Sequence, residues 1–235
     1  MPILMAMEDP VDQKVNVFGK VACVIFDLDG TLVDTIADLA YAVNTTLAKH
    51  AWPKRHISEI RSMVGDGFPP LVQRAVPLDV LAQDSLMSQV LAEASAFYSD
   101  HCVDRTRPYP GVEKLLSELN KRSIPCAVLS NKAHEFSTHI VSRLFPEGIF
   151  VLVQGEIMGI PKKPHPQAAL SIASKAGYHP SDCVLVGDSP HDMMAARSAG
   201  MRAFGAGWGY RSAAELLTAG AEKVLSTPLE LLKFI

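Results

Sequence analysis

The chain has 235 residues, of which 48% are hydrophobic and 20% charged, with a formal net charge of −3. That length is large for one compact domain and short for two full ones, so a main domain carrying a smaller insertion is the natural organisation. No apolar run approaches the roughly 18 residues of a membrane span, and the basic residues are scattered rather than striped, which argues against membrane and nucleic-acid partners.

Residues 1–20 have a short apolar start, but Glu8 and Asp9 stand where a signal peptide would carry its apolar core, so they read as an extension rather than a leader. The first strong signal is VACVIF (21–26), an apolar run that predicts a buried strand and ends on Asp27-Leu28-Asp29. Strand side chains alternate, so Asp27 and Asp29 point to one side and Leu28 to the other. Two carboxylates so close repel each other unless a cation lies between them. A lone Asp-x-Asp is also ordinary turn chemistry, so the other strand ends have to decide.

Residues 37–103 show helical periodicity and no strand. DLAYAVNTTLAKHAW, ISEIRSMVG and PPLVQRAV each predict a helix, and VLAQDSLMSQVLAEASAFYSDHC predicts one long helix ending at His101 and Cys102. A crossover between parallel strands does not need so many residues, so this is an inserted helical domain. TLVDTI leads out to it and DRTRPYPG leads back.

Beyond the insert, the runs PCAVLS (125–130), IFVLVQ (149–154), DCVLVG (182–187), MRAFGA (201–206) and AEKVLS (221–226) are mostly separated by helix-patterned stretches. Strands apolar on both faces that alternate with helices indicate a doubly wound, Rossmann-like α/β domain with a parallel sheet. The expected division is an extension at 1–20, an α/β core at 21–36 and 104–235, and a helical cap at 37–103.

Ligands of such sheets bind outside the carboxyl ends of the strands, and several of these ends carry polar groups. AVLSNK ends in Ser130 and Asn131, a hydroxyl and amides at a strand-to-helix junction suited to a phosphate oxygen. PKKPHP supplies Lys162 or Lys163, and VLVGDSPHD supplies Asp188 with Asp192 four residues on. Each is weak alone, since Ser-Asn also caps helices and a Lys-Pro also sits in solvated loops.

Taken in order, these motifs resemble those of the haloacid dehalogenase superfamily, from about Val21 to the C-terminus. Asp27 and Asp29 match the first motif, Ser130 the second, Lys163 the third, and Asp188 with Asp192 the fourth. The resemblance implies that Asp27 is the nucleophile, forming an aspartyl phosphate, and that Asp29 protonates the leaving alcohol and then activates water. It further implies Mg2+ held by the Asp27 carboxylate, the Asp29 main-chain oxygen and Asp188. Lys163 bridges Asp27 and the phosphate, and Ser130 with the Asn131 amide holds the remaining oxygens. Asp192 either orients a metal-bound water or simply caps its helix.

Retention of Asp29 favours phosphate esters over halides, whose leaving group needs no proton. The stretches MVGDGFPPLVQRAV and WGYRSAAELLTAGAEKVLSTPLELL look like the phosphoglycolate phosphatase branch. In the first, Gly65 and Gly67 flank Asp66 in a turn placed to approach substrate from the cap. Asp66 would repel a substrate carboxylate unless Arg61 or Arg74 answers it. A hexose phosphate mutase, a pyrophosphatase of the same superfamily and a catalytically silent phosphate-binding protein stand as alternatives; Gly187 before Asp188 tilts against the mutase.

The glycines of GAGWGY (205–210) have the wrong spacing for a dinucleotide fingerprint, so that stretch reads as a rim loop. His191 reads as an exposed loop histidine. The eight histidines and four cysteines show no zinc-ligand spacing and no CxxC. Cys23, Cys102, Cys126 and Cys183 read as buried thiols of a cytoplasmic protein.

Overall fold

The structure is a computed structural model that describes residues 21–235, so the extension expected at 1–20 lies outside it. Strand β1 (Cys23–Phe26) is buried at every position. Val24 and Phe26 face one hydrophobic layer while Cys23 and Ile25 face another, as a strand covered on both sides requires. Past β1 the chain makes β2 (Val33–Asp34), which pairs antiparallel with β3 (Arg107–Pro108) on the return path. The two connections to the helical insert are thus zipped to each other, and Tyr109 N adds a bond to Leu32 O at 3.0 Å.

Between β2 and β3 lie α1 (Ile36–Lys49), α2 (Ile57–Met63), α3 (Phe68–Ala75), α4 (Leu78–Leu81) and α5 (Asp84–His101). Helix α1 buries Ile36, Leu39, Ala40, Val43 and Leu47, a single stripe at helical spacing that packs on α5. The long helix expected over 80–102 is broken. Gln83 leaves helical geometry with φ −112° and ψ 82°, and Asp84 opens a new helix where an acid complements the N-terminal partial charge. Buried Asp38 ties the insert to its return connection, accepting from Thr106 N and Thr106 Oγ1 at 2.8 Å and from Arg105 N at 2.9 Å.

The chain then runs through α6 (Val112–Lys121), β4 (Cys126–Ala133), α7 (His134–Leu144), β5 (Leu152–Glu156), α8 (Gln167–Ala176), β6 (Cys183–Gly187), α9 (Pro190–Ser198), β7 (Arg202–Ala206), α10 (Ala213–Thr218) and β8 (Lys223–Leu225). The main sheet has the order β5-β4-β1-β6-β7-β8, and its pairings are parallel. This is the Rossmann-like α/β fold, and each of the six expected runs contributes a strand. β5 lies later than IFVLVQ, because Ile149 and Phe150 pack into the core ahead of the strand. The chain leaves β1 toward β4 on one side and returns to β6 on the other, so the sheet's switch point, where ligands bind, is the carboxyl end of β1.

The four cysteines are free and buried. Among the described residues, no helix is long and apolar enough to cross a membrane.

Candidate active site

Asp27 lies one residue past β1, and its N–H continues the ladder to Val186 O at 2.9 Å. The chain then turns sharply at Gly30, whose φ of +82° and neighbours both demand glycine: a Cβ there would lie 2.2 Å from Asp188 Oδ2. On the adjacent strand, the register of β4 against β5 shifts between Leu129 and Ala133. That irregularity falls on Ser130, Asn131 and Lys132, and such bulges re-aim side chains at strand ends.

Lys163 settles which lysine of PKKPHP enters the site. It is buried, and its Nζ donates to Asp27 Oδ1 at 2.7 Å, Asp192 Oδ1 at 2.5 Å and Leu129 O at 2.9 Å. Three acceptors exhaust the three donors of an ammonium group. Lys162 is more exposed and bonds Glu156 and the Asp66 carbonyl instead. Burial alone would push the Lys163 pKa down, yet Asp192 and Asp27 outweigh it and raise the value, so the group stays charged. For Asp27, burial and the nearby Asp192 push the pKa up to about 7 despite Lys163. Asp188 is raised too, by burial and by Asp27.

Asp27, Asp188 and Asp192 each place a carboxylate oxygen within 4.8 Å of the others. They are not equivalent as metal ligands. Asp192 is spent, with Oδ1 on Lys163 and Oδ2 accepting from Ser189 N at 3.0 Å and Ser189 Oγ at 2.6 Å, so it caps α9 and braces the lysine. Asp188 takes Tyr210 N on Oδ2 at 2.7 Å and only a long contact from Thr31 on Oδ1, while Asp27 Oδ2 is not bonded to Lys163. The Asp29 carboxylate points elsewhere, to Lys132 Nζ at 2.8 Å. When all four are ionised, Asp27, Asp29, Asp188 and Asp192 outnumber Lys132 and Lys163 by two negative charges, an excess that fits a divalent cation. Oxygen donors of this kind suit a hard ion.

Over these groups lies a cavity of about 40 Å³, lined by Asp27, Asp29, Ser130, Lys163 and Asp188 from the sheet and by Gly65, Gly67, Phe68 and Leu71 from the insert. A single water needs roughly 10–15 Å³ on this measure, so the enclosed space suits a small ligand. The insert is held down through its backbone. Arg211 donates to the carbonyls of Arg61, Ser62 and Val64 at the end of α2, and Asn131 Nδ2 donates to Gly65 O at 3.0 Å. The Asn131 side chain also clamps the Lys163 backbone in both directions, at 2.9 Å each. A Cβ on Gly67, at φ +98°, would meet Asn131 O at 2.9 Å, so the close approach of the insert depends on that glycine.

Asp66 does not line the cavity. Its carboxylate pairs with Arg74, with His191 Nε2 at 3.5 Å. Burial would raise its pKa, but the Arg74 bond dominates and lowers it. Arg74 therefore answers the acid, while Arg61 lies over the Tyr210 ring. His191 is half-buried against Asp66 in the first turn of α9 rather than free in a loop. GAGWGY is more than a rim. Trp208 Nε1 donates to Thr31 O at 2.9 Å, and the Tyr210 hydroxyl bonds Thr35 N at 3.0 Å and donates to Asp34 at 3.2 Å. The loop thereby ties Asp188 to the outgoing connection. Lys132 carried no expectation from the sequence, although LSNK sets it next to Ser130 and Asn131 at the end of the strand.

The model for the haloacid dehalogenase-like hydrolases matches residues 24–206, which contain Asp27, Asp29, Ser130, Lys163, Asp188 and Asp192, while Trp208, Tyr210 and Arg211 follow just beyond. The chain belongs to the haloacid dehalogenase-like hydrolase family. Among relatives of this hydrolase, the phosphoglycolate phosphatase of Chromobacterium violaceum is 34% identical over 213 residues, covering 90% of this chain and 95% of the relative. That of Pseudomonas savastanoi pv. phaseolicola is 35% identical over 191 residues, 80% of this chain and 70% of the relative. The crystal structure of a predicted phosphoglycolate phosphatase from Haemophilus somnus 129pt superposes with a TM-score of 0.84 at 26% identity, covering 90% of this chain and 96% of that one. This hydrolase is accordingly an enzyme of the family's phosphatase class, a phosphoric monoester hydrolase.

Proposed function

We propose that the enzyme is a Mg2+-dependent phosphatase of a small, phosphoglycolate-like phosphomonoester and that it works through an aspartyl phosphate on Asp27. The observation that carries this reading is the buried Asp27–Lys163 contact of 2.7 Å at the sheet's switch point, beneath a cavity that also reaches Asp29, Ser130 and Asp188. Asp27 attacks phosphorus, forming the Asp27 oxygen–phosphorus bond as the bond to the alcohol oxygen breaks. Asp29 gives its proton to that departing oxygen. It then takes a proton from the water that attacks the same phosphorus, which releases phosphate and restores Asp27.

Lys163 holds Asp27 in place and offers positive charge to the phosphoryl oxygens, while Ser130 and the Asn131 N–H receive the others. Asp27, the Asp29 main-chain oxygen and Asp188 hold the Mg2+, which when bound neutralises the phosphate and the crowded acids. Residues 37–103 act as a cap over the core, and Gly65 and Gly67 let its backbone close over the substrate and exclude water. The free, buried thiols suit a reducing compartment, and we place the protein in the cytoplasm.

A panel of phosphoglycolate, pyrophosphate, sugar phosphates and nucleotides, assayed with Mg2+ for released phosphate, tests the reading. Phosphoglycolate is expected to lead it. Asp27→Asn is expected to lower turnover of p-nitrophenyl phosphate by about 1000-fold or more. Full turnover by that variant, or an isomeric sugar phosphate accumulating in place of free phosphate, contradicts it.

A further inference from the structure

Lys132 is buried to 4% exposure, yet it lines the cavity beside the proposed proton-transfer residue. Its ammonium has three donors, and its hydrogen-bonded carboxylate partner is a single oxygen, Asp29 Oδ2 at 2.8 Å. Tyr98 of α5 offers its ring, with the centre 4.9 Å from Nζ. Even with one donor given to the Tyr98 side chain, one is left over. Another polar atom next to Lys132, Asp29 Oδ1, is buried without a hydrogen-bond partner. Groups left unsatisfied beside a cavity are expensive unless a ligand completes them.

The neighbouring cations are committed differently. Lys163 has spent its three donors on Asp27, Asp192 and Leu129 O. Arg211, half-buried at the edge of the cavity, spends three of its five donors on carbonyls of the insert, and Arg74 is paired with Asp66 away from the cavity lining. Lys132 is thus, among the described residues, the buried cation lining this cavity with donors to spare.

We propose that Lys132 determines specificity by binding a second anionic group, a carboxylate on the short alcohol side of the ester, with its unspent donors while it remains on Asp29. The proposal rests on the phosphomonoesterase reading and names the substrate class within it. Lys132 lies one strand over from Asp27, so a small ester whose phosphorus faces Asp27 presents its alcohol side toward Asp29 and Lys132. The unpartnered Asp29 Oδ1 is then free for the ester oxygen between them. A carboxylate held this way also fixes the ester oxygen against Asp29, so the selection appears in turnover as well as in binding.

The test compares phosphoglycolate with ethyl phosphate, which has the same two-carbon chain but a methyl in place of the carboxylate, in the wild type, Lys132→Met and Lys132→Arg. In the wild type, kcat/KM is expected to favour phosphoglycolate. Lys132→Met is expected to lower the phosphoglycolate-to-ethyl phosphate ratio by about 30-fold, whatever loss the two substrates share through Asp29, and Lys132→Arg to restore part of it. A ratio unchanged within about threefold overturns the proposal, because a residue that only braces Asp29 or the fold lowers both substrates together.

If Lys132→Met fails to fold, inhibition of the wild type decides: phosphonoacetate is expected to compete about tenfold or more better than ethylphosphonate, and equal inhibition overturns the proposal. Wild-type enzyme that hydrolyses ethyl phosphate and phosphoglycolate equally also overturns it while leaving the phosphatase reading intact. Wild-type enzyme that hydrolyses no ester sinks that reading instead, and the two phosphonates, compared by calorimetry, still report on Lys132.

Discussion

Lys163 Nζ stands 2.7 Å from Asp27 Oδ1 and 2.5 Å from Asp192 Oδ1, and among the described residues it is the one buried cation that touches both acids. Removing it strands two buried carboxylates. Lys163→Met is expected to destabilise the fold by about 3–5 kcal/mol at neutral pH, the usual cost of breaking a buried pair from one side. The loss should shrink on mild acidification, as protonation relieves the stranded acids, and urea melts across pH check this. Lys163→Arg should not restore activity, because a planar fork cannot reach three acceptors arranged around a single nitrogen.

The acids predict how metal and pH are linked. The pKa of Asp27 is raised by burial and Asp192 to about 7, and Asp188 is raised as well. Between the ordinary carboxylate value and the raised one, the folded protein binds more protons than the unfolded chain, so metal-free stability falls as pH rises through that window. A divalent ion competes with those protons for the same oxygens. Thermal melts should therefore show a larger Mg2+ stabilisation at about pH 8 than at about pH 5.5, with half-stabilising concentrations at least about tenfold apart. An equal gain at both pH values would count against these acids as the ligands.

Gly209 tests the role of the loop after β7. A Cβ there would lie 2.2 Å from Asp188 Cβ and 2.4 Å from Gly30 O, so Gly209→Ala must push Asp188 aside. Mg2+ affinity, read by titration of activity, is expected to weaken about 10-fold or more. Overpacking should also cost about 1–3 kcal/mol of stability.

Asp38 tests the hinge. Its buried carboxylate gathers Arg105 N, Thr106 N and Thr106 Oγ1, fastening the start of the insert to its end. Asp38→Asn retains the shape but turns an amide toward a cluster of donors. A loss of about 2–4 kcal/mol is expected in denaturant melts.

The sheet was legible because its strands are apolar on both faces and separated by helices of amphipathic spacing, a pattern that needs no long-range information. The pairing of Val33–Asp34 with Arg107–Pro108 was not, because two-residue strands leave no periodicity to read. The main acids and Lys163 were legible as an ordered set at strand ends. Lys132 was not, because a lysine at a strand end looks solvated and its partner Asp29 is 103 residues away. Arg211 and Tyr210 escaped for the same reason: their partners in α2 and β2 lie about as far or farther along the chain. For Asp66 the sequence named both candidate cations, and only packing shows that Arg74, in the last turn of α3, takes the carboxylate.

The central claim is that Asp27 carries the phosphoryl group, and acid quenching during steady turnover of phosphoglycolate with Mg2+, followed by mass analysis of peptides, tests it most directly. The account predicts a phosphoryl adduct on the peptide holding Asp27 that appears within the first turnover, decays when substrate runs out and is absent from Asp27→Asn. Turnover with the adduct on another residue, or undiminished turnover by Asp27→Asn, would contradict it.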